Sequence, residues 1–572
     1  MGPFRIVLPL LAVSAASIVR AAPAIFPLKD VRAGQHGIGR TVFNGSRVEE
    51  FQVEILGVLE NLGPRESIIL ARLKGGPLEN TGVMQGMSGS PVYIDGKLAG
   101  AIALSFPLSK EAIAGIRPIE DMLRVEPRPA RDIASATPPP RRRPFMAGET
   151  RLEEIATPVS FSGFTAATLE HFAPQLRELG WDPRQGISGG GAPSDRLGDP
   201  RQIEPGSMIS VQLLSGDMSV GADGTITAID GDRVYAFGHR FLAEGSTDLP
   251  FARAEVLALL PNLSSSFKIS TAREWMGAIT ADRDTAISGL TGKQAKLIPV
   301  EIRVGQNIYR MRMIQDRVMT PLLAQMAIFS AIDATERSIG SQTFSVRGRL
   351  DFAAGPVRVD DVYSGDVAVA AIASAGVSTP LAYAFQSGFD ALKLESIALD
   401  IGVVEKRGQQ QIADLIAPRT VHPGDEIELT VVLAGDSGAE TSQRVRYRVP
   451  VGAPAGPLSF TVSDATSTNL LEFQSVAGTP QRSSQQVLNL LNGFRSNTKA
   501  YLRVWRSEPS FTIEGRDLPA PPPSLAMILS RGQQGTGNLL TARGATLAEI
   551  EIPAGAGVVV TGSKTAQVHV RE

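Results

Sequence analysis

Ser88 stands in the run Gly86-Met87-Ser88-Gly89-Ser90-Pro91, where small neighbours leave one hydroxyl on a tight turn. A serine so placed is a candidate nucleophile. Glycine at 86 and 89 removes the Cβ atoms that would crowd the turn and the approach of a substrate. The backbone N–H groups of Gly86 and Ser88 can then face the point where a substrate carbonyl gathers negative charge. Pro91 starts a strand, Asp95-Gly96 turns it, and residues 98–104 return beneath it. A hairpin directly behind the turn favours a rigidly held nucleophile over a chance cluster of small residues. Ser90 is the second hydroxyl in the run.

A serine nucleophile needs a base, and the chain has five histidines to offer. His36 sits among glycines in Gly34-Gln35-His36-Gly37, which reads as a turn. His171 lies beside Phe172 on a helical pattern. His422 precedes Pro423-Gly424, and His569 is close to the C-terminus. His239 follows the strand-like Arg233-Val234-Tyr235-Ala236-Phe237 and a single Gly238, a position that would set its ring at the mouth of a β unit. It is the preferred base, with His36 the alternative.

Positioning falls to β structure. Gly 57 and Pro 39 in 572 residues favour a turn-rich β chain of several domains. Residues 1–22 read as a signal peptide: Arg5 precedes an apolar run over 6–19, and Ala21-Ala22 would close a cleavage site. Fourteen apolar residues are too short to span a ~30 Å hydrocarbon core. Residues 30–125 form the unit carrying Ser88. Residues 126–206 read as a linker with a Pro-Pro-Pro-Arg-Arg-Arg-Pro run, a short strand and helix, and a Gly-rich loop near 186–205. Residues 207–405 carry His239, with Asp-Gly turns expected at Asp223-Gly224 and Asp230-Gly231, a helix over 319–332, and core β structure over 367–385. Residues 410–572 alternate at period two and suggest an immunoglobulin-like β-sandwich.

Residues 82–102 resemble the nucleophile segment of the SpoIVB family of serine peptidases, with the Gly-x-Ser-Gly-x-Pro spacing of trypsin-like enzymes. Residues 224–239 resemble that family's histidine segment, and 266–289 the stretch after it. The resemblance implies a mainly β, trypsin-like double barrel formed from two separated halves. Here the serine half precedes the histidine half, the reverse of the family order, and no PDZ-like module is evident. The family's acid stands shortly before the serine, yet residues 73–86 hold only Glu79. Asp248, Asp282 and Asp284 are the other candidates, and a Ser–His dyad oriented by a backbone carbonyl is the alternative.

Composition narrows the rest. Zero Cys excludes disulfides, thiolate metal sites and cysteine nucleophiles, and five His leave little for a metal; no cofactor is expected. A net charge of −2 gives no electrostatic reason to bind nucleic acid. The sequence therefore reads as an exported serine endopeptidase of the periplasm, cell envelope or extracellular space, acting on a protein or peptide substrate. No stable membrane span should remain after signal cleavage, and residues 410–572 would serve an envelope partner. The rival readings are a catalytically inactive peptidase-fold scaffold and a hydrolase of non-peptide esters.

Overall fold

The computed structural model describes residues 23–125, 145–186 and 196–571, apart from 64–65, 148–149, 244, 336–341, 366–367, 405–407, 436–437, 478–482, 508–509, 514–515, 520, 533–538, 543 and 556. The segment read as a signal peptide and the proline–arginine run lie outside the described residues, as do residues 187–195 of the Gly-rich loop.

The chain is mainly β. Strands β1 (His36–Asn44), β2 (Arg47–Gly63), β3 (Glu66–Lys74), β4 (Pro91–Ile94), β5 (Lys97–Ser105) and β6 (Ile113–Pro118) form the first unit, with short helices α1 (Leu78–Thr81) and α2 (Ile119–Met122). Their order is β4-β1-β2-β3-β6-β5, and a β4–β5 pairing closes them into a six-stranded barrel. Alternation fills it: Phe51, Val53 and Ile55 on β2 are buried, while Gln52 between them is exposed. Each such side chain contributes roughly 1.5–3 kcal/mol on full burial.

Strands β7 (Phe145–Ala147) and β8 (Thr150–Glu154) extend this sheet past β5. Strand β9 (Pro158–Ser162), helix α3 (Ala166–Glu178) and strand β10 (Asp182–Gln185) follow. Thr165 caps α3 by accepting from the Thr168 N–H at 3.2 Å, and Phe172 and Leu176 are buried on its inner face.

The second unit repeats the first. Strands β11 (Met208–Gly216), β12 (Ser219–Asp230), β13 (Arg233–Ala236), β14 (Gly245–Leu260), β15 (Phe267–Arg283) and β16 (Ala286–Thr291) run β12-β13-β16-β15-β14-β11, closed by a β12–β11 pairing. Counted within each barrel, both have the cyclic strand order 1-2-3-6-5-4. This is a trypsin-like pair of barrels. The β14–β15 hairpin is long enough to overrun its own barrel: Gly45 of the first unit bridges to Val256, and Gln85 to Phe267.

Beyond the barrel, strands β17 (Leu297–Val304), β18 (Asn307–Ile314), β19 (Gln342–Phe352), β20 (Gly355–Gly365) and β21 (Leu394–Val404) extend the sheet under helices α4 (Met319–Thr335) and α5 (Val369–Gln386). The β structure expected over 367–385 is thus a helix. Small apolar residues on all its sides hide the helical stripe, because α5 is packed against both α4 and β20. Two smaller sheets, of four and five strands, share a core containing Leu429, Val431, Phe460, Leu502 and Val568 in the C-terminal region. Helix Ser484–Asn492 leaves that region to bury Val487, Leu488 and Leu491 in the core of the second unit. Among the described residues no helix is long and apolar enough to cross a membrane.

Candidate active site

Ser88 lies between the third and fourth strands of the first barrel, and His239 between the third and fourth strands of the second. The two loops therefore occupy corresponding places in the two barrels. The serine turn is also hydrogen-bonded to the second barrel. Thr225 on β12 donates its N–H to the Ser88 carbonyl at 2.9 Å and its hydroxyl to the Gly86 carbonyl at 2.9 Å. Thr227 donates its hydroxyl to the Gly89 carbonyl at 2.7 Å.

Glycine at 89 is required by this contact: φ is +90°, and a Cβ there would stand 2.0 Å from the Thr225 carbonyl oxygen and 2.5 Å from the Phe237 nitrogen. Phe237 and Gly238, with φ of +69° and +72°, turn the chain sharply into His239. The Phe237 ring lies where a side chain at 224 would be, within 2.4 Å of that Cβ position. Asp223-Gly224 is accordingly not a turn. It lies inside β12, paired with Ser210 and Ile209, and its glycine makes room for the ring.

Within the nucleophile run, the N–H groups of Gln85, Met87, Gly89 and Ser90 are all donated to carbonyls. Those of Gly86 and Ser88 have no acceptor among the described residues. Ser88 is fully buried and its Oγ makes no hydrogen bond to any described residue. Ser90, also buried, has its hydroxyl engaged with Thr41 Oγ1 at 3.0 Å.

His239 is 2% exposed. Its Nδ1 is 2.7 Å from the Arg240 carbonyl oxygen. A carbonyl only accepts, so Nδ1 carries the proton and Nε2 keeps the lone pair in the neutral ring. Nε2 is buried and makes no hydrogen bond, to Ser88 or to any other described residue. Burial pushes the imidazole below its ordinary pKa, and the Glu154 carboxylate opposes that shift.

The carboxylates separate clearly. Asp282, at the end of the second barrel's fifth strand, is buried and accepts the N–H groups of Phe241 at 2.9 Å, Leu242, and Ala243 at 2.8 Å. It holds the loop that follows His239, although the imidazole itself is oriented by Arg240. Burial pushes its carboxyl up to about 6 despite those three donors. Glu79 is exposed on α1. Asp248 pairs with Lys293 at 2.6 Å, and Asp284 is 3.9 Å from Arg240. Of the other histidines, His36 opens strand β1, opposite Glu54, instead of sitting in a turn. His171 stacks on Phe329, and His422 and His569 lie in the C-terminal region.

Two charged groups near the site escape the sequence reading. Arg117, fully buried at the end of β6, pairs with Glu66, lies 3.9 Å from Glu154, and donates to the Gly238 carbonyl at 3.4 Å. Its signal was an arginine in the otherwise apolar strand Ile113–Pro118. Lys268, 2% exposed, lines a polar cavity of about 330 Å³ with Ser210, Asp223 and Ser270. Burial pushes the Asp223 carboxyl up, against hydrogen bonds from Ser210 and Ser270.

Residues 14–123 match the SpoIVB peptidase S55 family. The resemblance read from residues 82–102 is borne out. The S55 match spans the first barrel with its nucleophile turn and stops short of His239. No curated protein and no solved structure matches the chain. The S55 segment thus supports a SpoIVB-like peptidase.

Proposed function

We propose that the chain is an exported serine endopeptidase in which Ser88 and His239 act together on a protein substrate. One observation carries the reading: the serine and the histidine occupy the same loop of two barrels of identical strand order, and the serine turn is hydrogen-bonded to strand β12 of the histidine barrel. Such an arrangement accommodates the reversed order of the two halves, because the site forms between barrels whichever comes first.

Ser88 Oγ would attack the scissile carbonyl while His239 Nε2 takes its proton and later gives it to the leaving amine. The Gly86 and Ser88 N–H groups would hold the oxyanion, an effect of roughly 3–4 kcal/mol per donor. Arg240's carbonyl keeps the imidazole in the base tautomer, and Asp282 fixes the loop carrying that carbonyl. Because Ser88 is fully buried, catalysis needs an opening of the site that also brings Ser88 Oγ and His239 Nε2 into contact.

That closed geometry also favours a second reading, a peptidase-fold scaffold without turnover. Labelling with a fluorophosphonate probe decides between them. The peptidase reading expects labelling of the wild type and none of Ser88→Ala; equal labelling of both, or of neither, overturns it.

A further inference from the structure

Lys268 belongs to the histidine barrel by sequence and to the serine turn by contact. Its main-chain N–H donates to the Gln85 carbonyl at 3.2 Å. Its Cδ and Cβ lie 3.2 and 3.4 Å from the point where a side chain at Gly86 would begin. Its Nζ reaches across the barrels to donate to Thr41 Oγ1 at 2.7 Å. From Thr41 a chain of buried hydroxyls continues through Ser90 at 3.0 Å to Thr225 at 3.5 Å, and Thr225 donates to the Gly86 carbonyl. The lysine therefore grips both ends of the turn whose N–H groups have no acceptor.

We propose that Lys268 is a positioning residue of the oxyanion turn, holding positive charge against Gly86 and Ser88 when negative charge gathers there. The inference rests on Ser88 being the nucleophile and adds a group that neither the S55 match nor the sequence reading assigns.

The electrostatic surroundings favour that use. No carboxylate lies within ion-pairing distance of Nζ among the described residues; a hydroxyl and the Phe43 ring, 6.0 Å away, are its company. The charged groups on the elements packed around it have partners of their own. Arg40 on β1 pairs with Glu50, Arg253 on β14 with Glu255 and Glu274, Arg184 on β10 lies over the Phe267 ring, and Asp223 on β12 accepts from Ser270. Burial alone pushes the Lys268 ammonium down to about 7. A buried cation lacking a counter-charge is costly at rest. An oxyanion forming on the adjacent turn would supply one, so it should raise the proton affinity of Lys268.

The test is the pH profile of fluorophosphonate labelling on the full chain, with Ser88→Ala as control. The wild-type rate should fall above about pH 7 as Lys268 loses its proton. Lys268→Met should label about tenfold more slowly and lack that fall. Lys268→Arg should move the fall upward by two or more pH units, because a guanidinium stays charged. Thr41→Val, which removes the acceptor of the charged form while sparing the lysine, should move the fall downward. It carries the test if Lys268→Met does not fold. A Lys268→Met variant with the wild-type rate or an unchanged alkaline fall overturns the lysine alone. So does a Thr41→Val profile identical to wild type. Labelling that survives Ser88→Ala overturns the serine reading instead.

Discussion

Thr227 Oγ1 donates to the Gly89 carbonyl at 2.7 Å, so the strand leading toward His239 holds the residue that follows Ser88. Both partners are buried, and Thr227 is fully so. Losing the hydroxyl would leave a buried carbonyl unpaired, at a cost of about 1–3 kcal/mol. Thr227→Val keeps the shape and removes the donor. It should lower the melting temperature by several degrees and slow labelling of Ser88 more than the lost folded fraction explains. A variant that melts and labels like wild type would show that the serine turn is held against the second barrel without this bond.

The Asp282 carboxylate binds three successive N–H groups after His239, and its folded pKa is about 6 against an ordinary value of 3.8. A carboxyl with a raised pKa binds more protons in the folded state. Its effect is therefore a loss of stability as pH rises from about 4 to 6, worth about 3 kcal/mol in order of magnitude. Asp282→Asn removes that slope but leaves a single acceptor oxygen for three donors. Labelling should drop at least tenfold, because the loop that sets the imidazole tautomer loosens. Thermal melts from pH 4 to 7 should be flatter than those of wild type, and an unaltered slope would reject the assignment.

How much of this could be read from the chain follows from what each residue reports locally. The tight turn at Ser88 was legible because its glycines and the Asp95-Gly96 hairpin are local chemistry. The place of His239 just beyond a strand end was legible because a strand followed by one glycine is a local pattern. The closure of two barrels with one strand order depends on pairings such as β4 with β5 and β11 with β12, which no local pattern encodes. Asp223-Gly224 misled for the same reason: the dipeptide is a turn signal, but the Phe237 ring requires that glycine from a distance. Helix α5 misled because it is apolar on nearly every side. Arg117 and Lys268 escaped notice because a charge in a strand looks like a solvated one until its burial is known.

Arg117 is fully buried between Glu66 and Glu154 and also holds the Gly238 carbonyl. Arg117→Met would take the buried arginine away from Glu66 and from Glu154, the latter close enough to act on His239, and breaking a buried pair by removing one partner typically costs about 3–5 kcal/mol. The guanidinium also helps to keep the imidazole pKa down, whereas Glu154 pushes it up. Without Arg117 the folded-state pKa of His239 should rise. The acid limb of the labelling profile should then move to higher pH in whatever fraction remains folded. A limb that stays in place would show that Arg117 supports the barrel without tuning the base.

A chain ending near Ala417 separates the C-terminal sheets from the barrels. The C-terminal sheets have their own core around Leu429, Phe460 and Leu502. Helix Ser484–Asn492, however, docks on β20 and buries Val487, Leu488 and Leu491 in the core of the second unit. Asn497 likewise donates its N–H to Asp361 at 2.7 Å. The cut therefore takes three buried side chains out of that core, each worth roughly 1.5–3 kcal/mol, and should lower the melting temperature markedly. Yet β20 is the far edge strand of its sheet, separated by β19, β21, β17 and β18 from the strands of the second barrel. Labelling per folded molecule should therefore survive. The check is to measure cooperative melting and labelling rate side by side at a temperature where the truncated chain remains folded. A folded truncation that no longer labels would place part of the active site in residues 418–572.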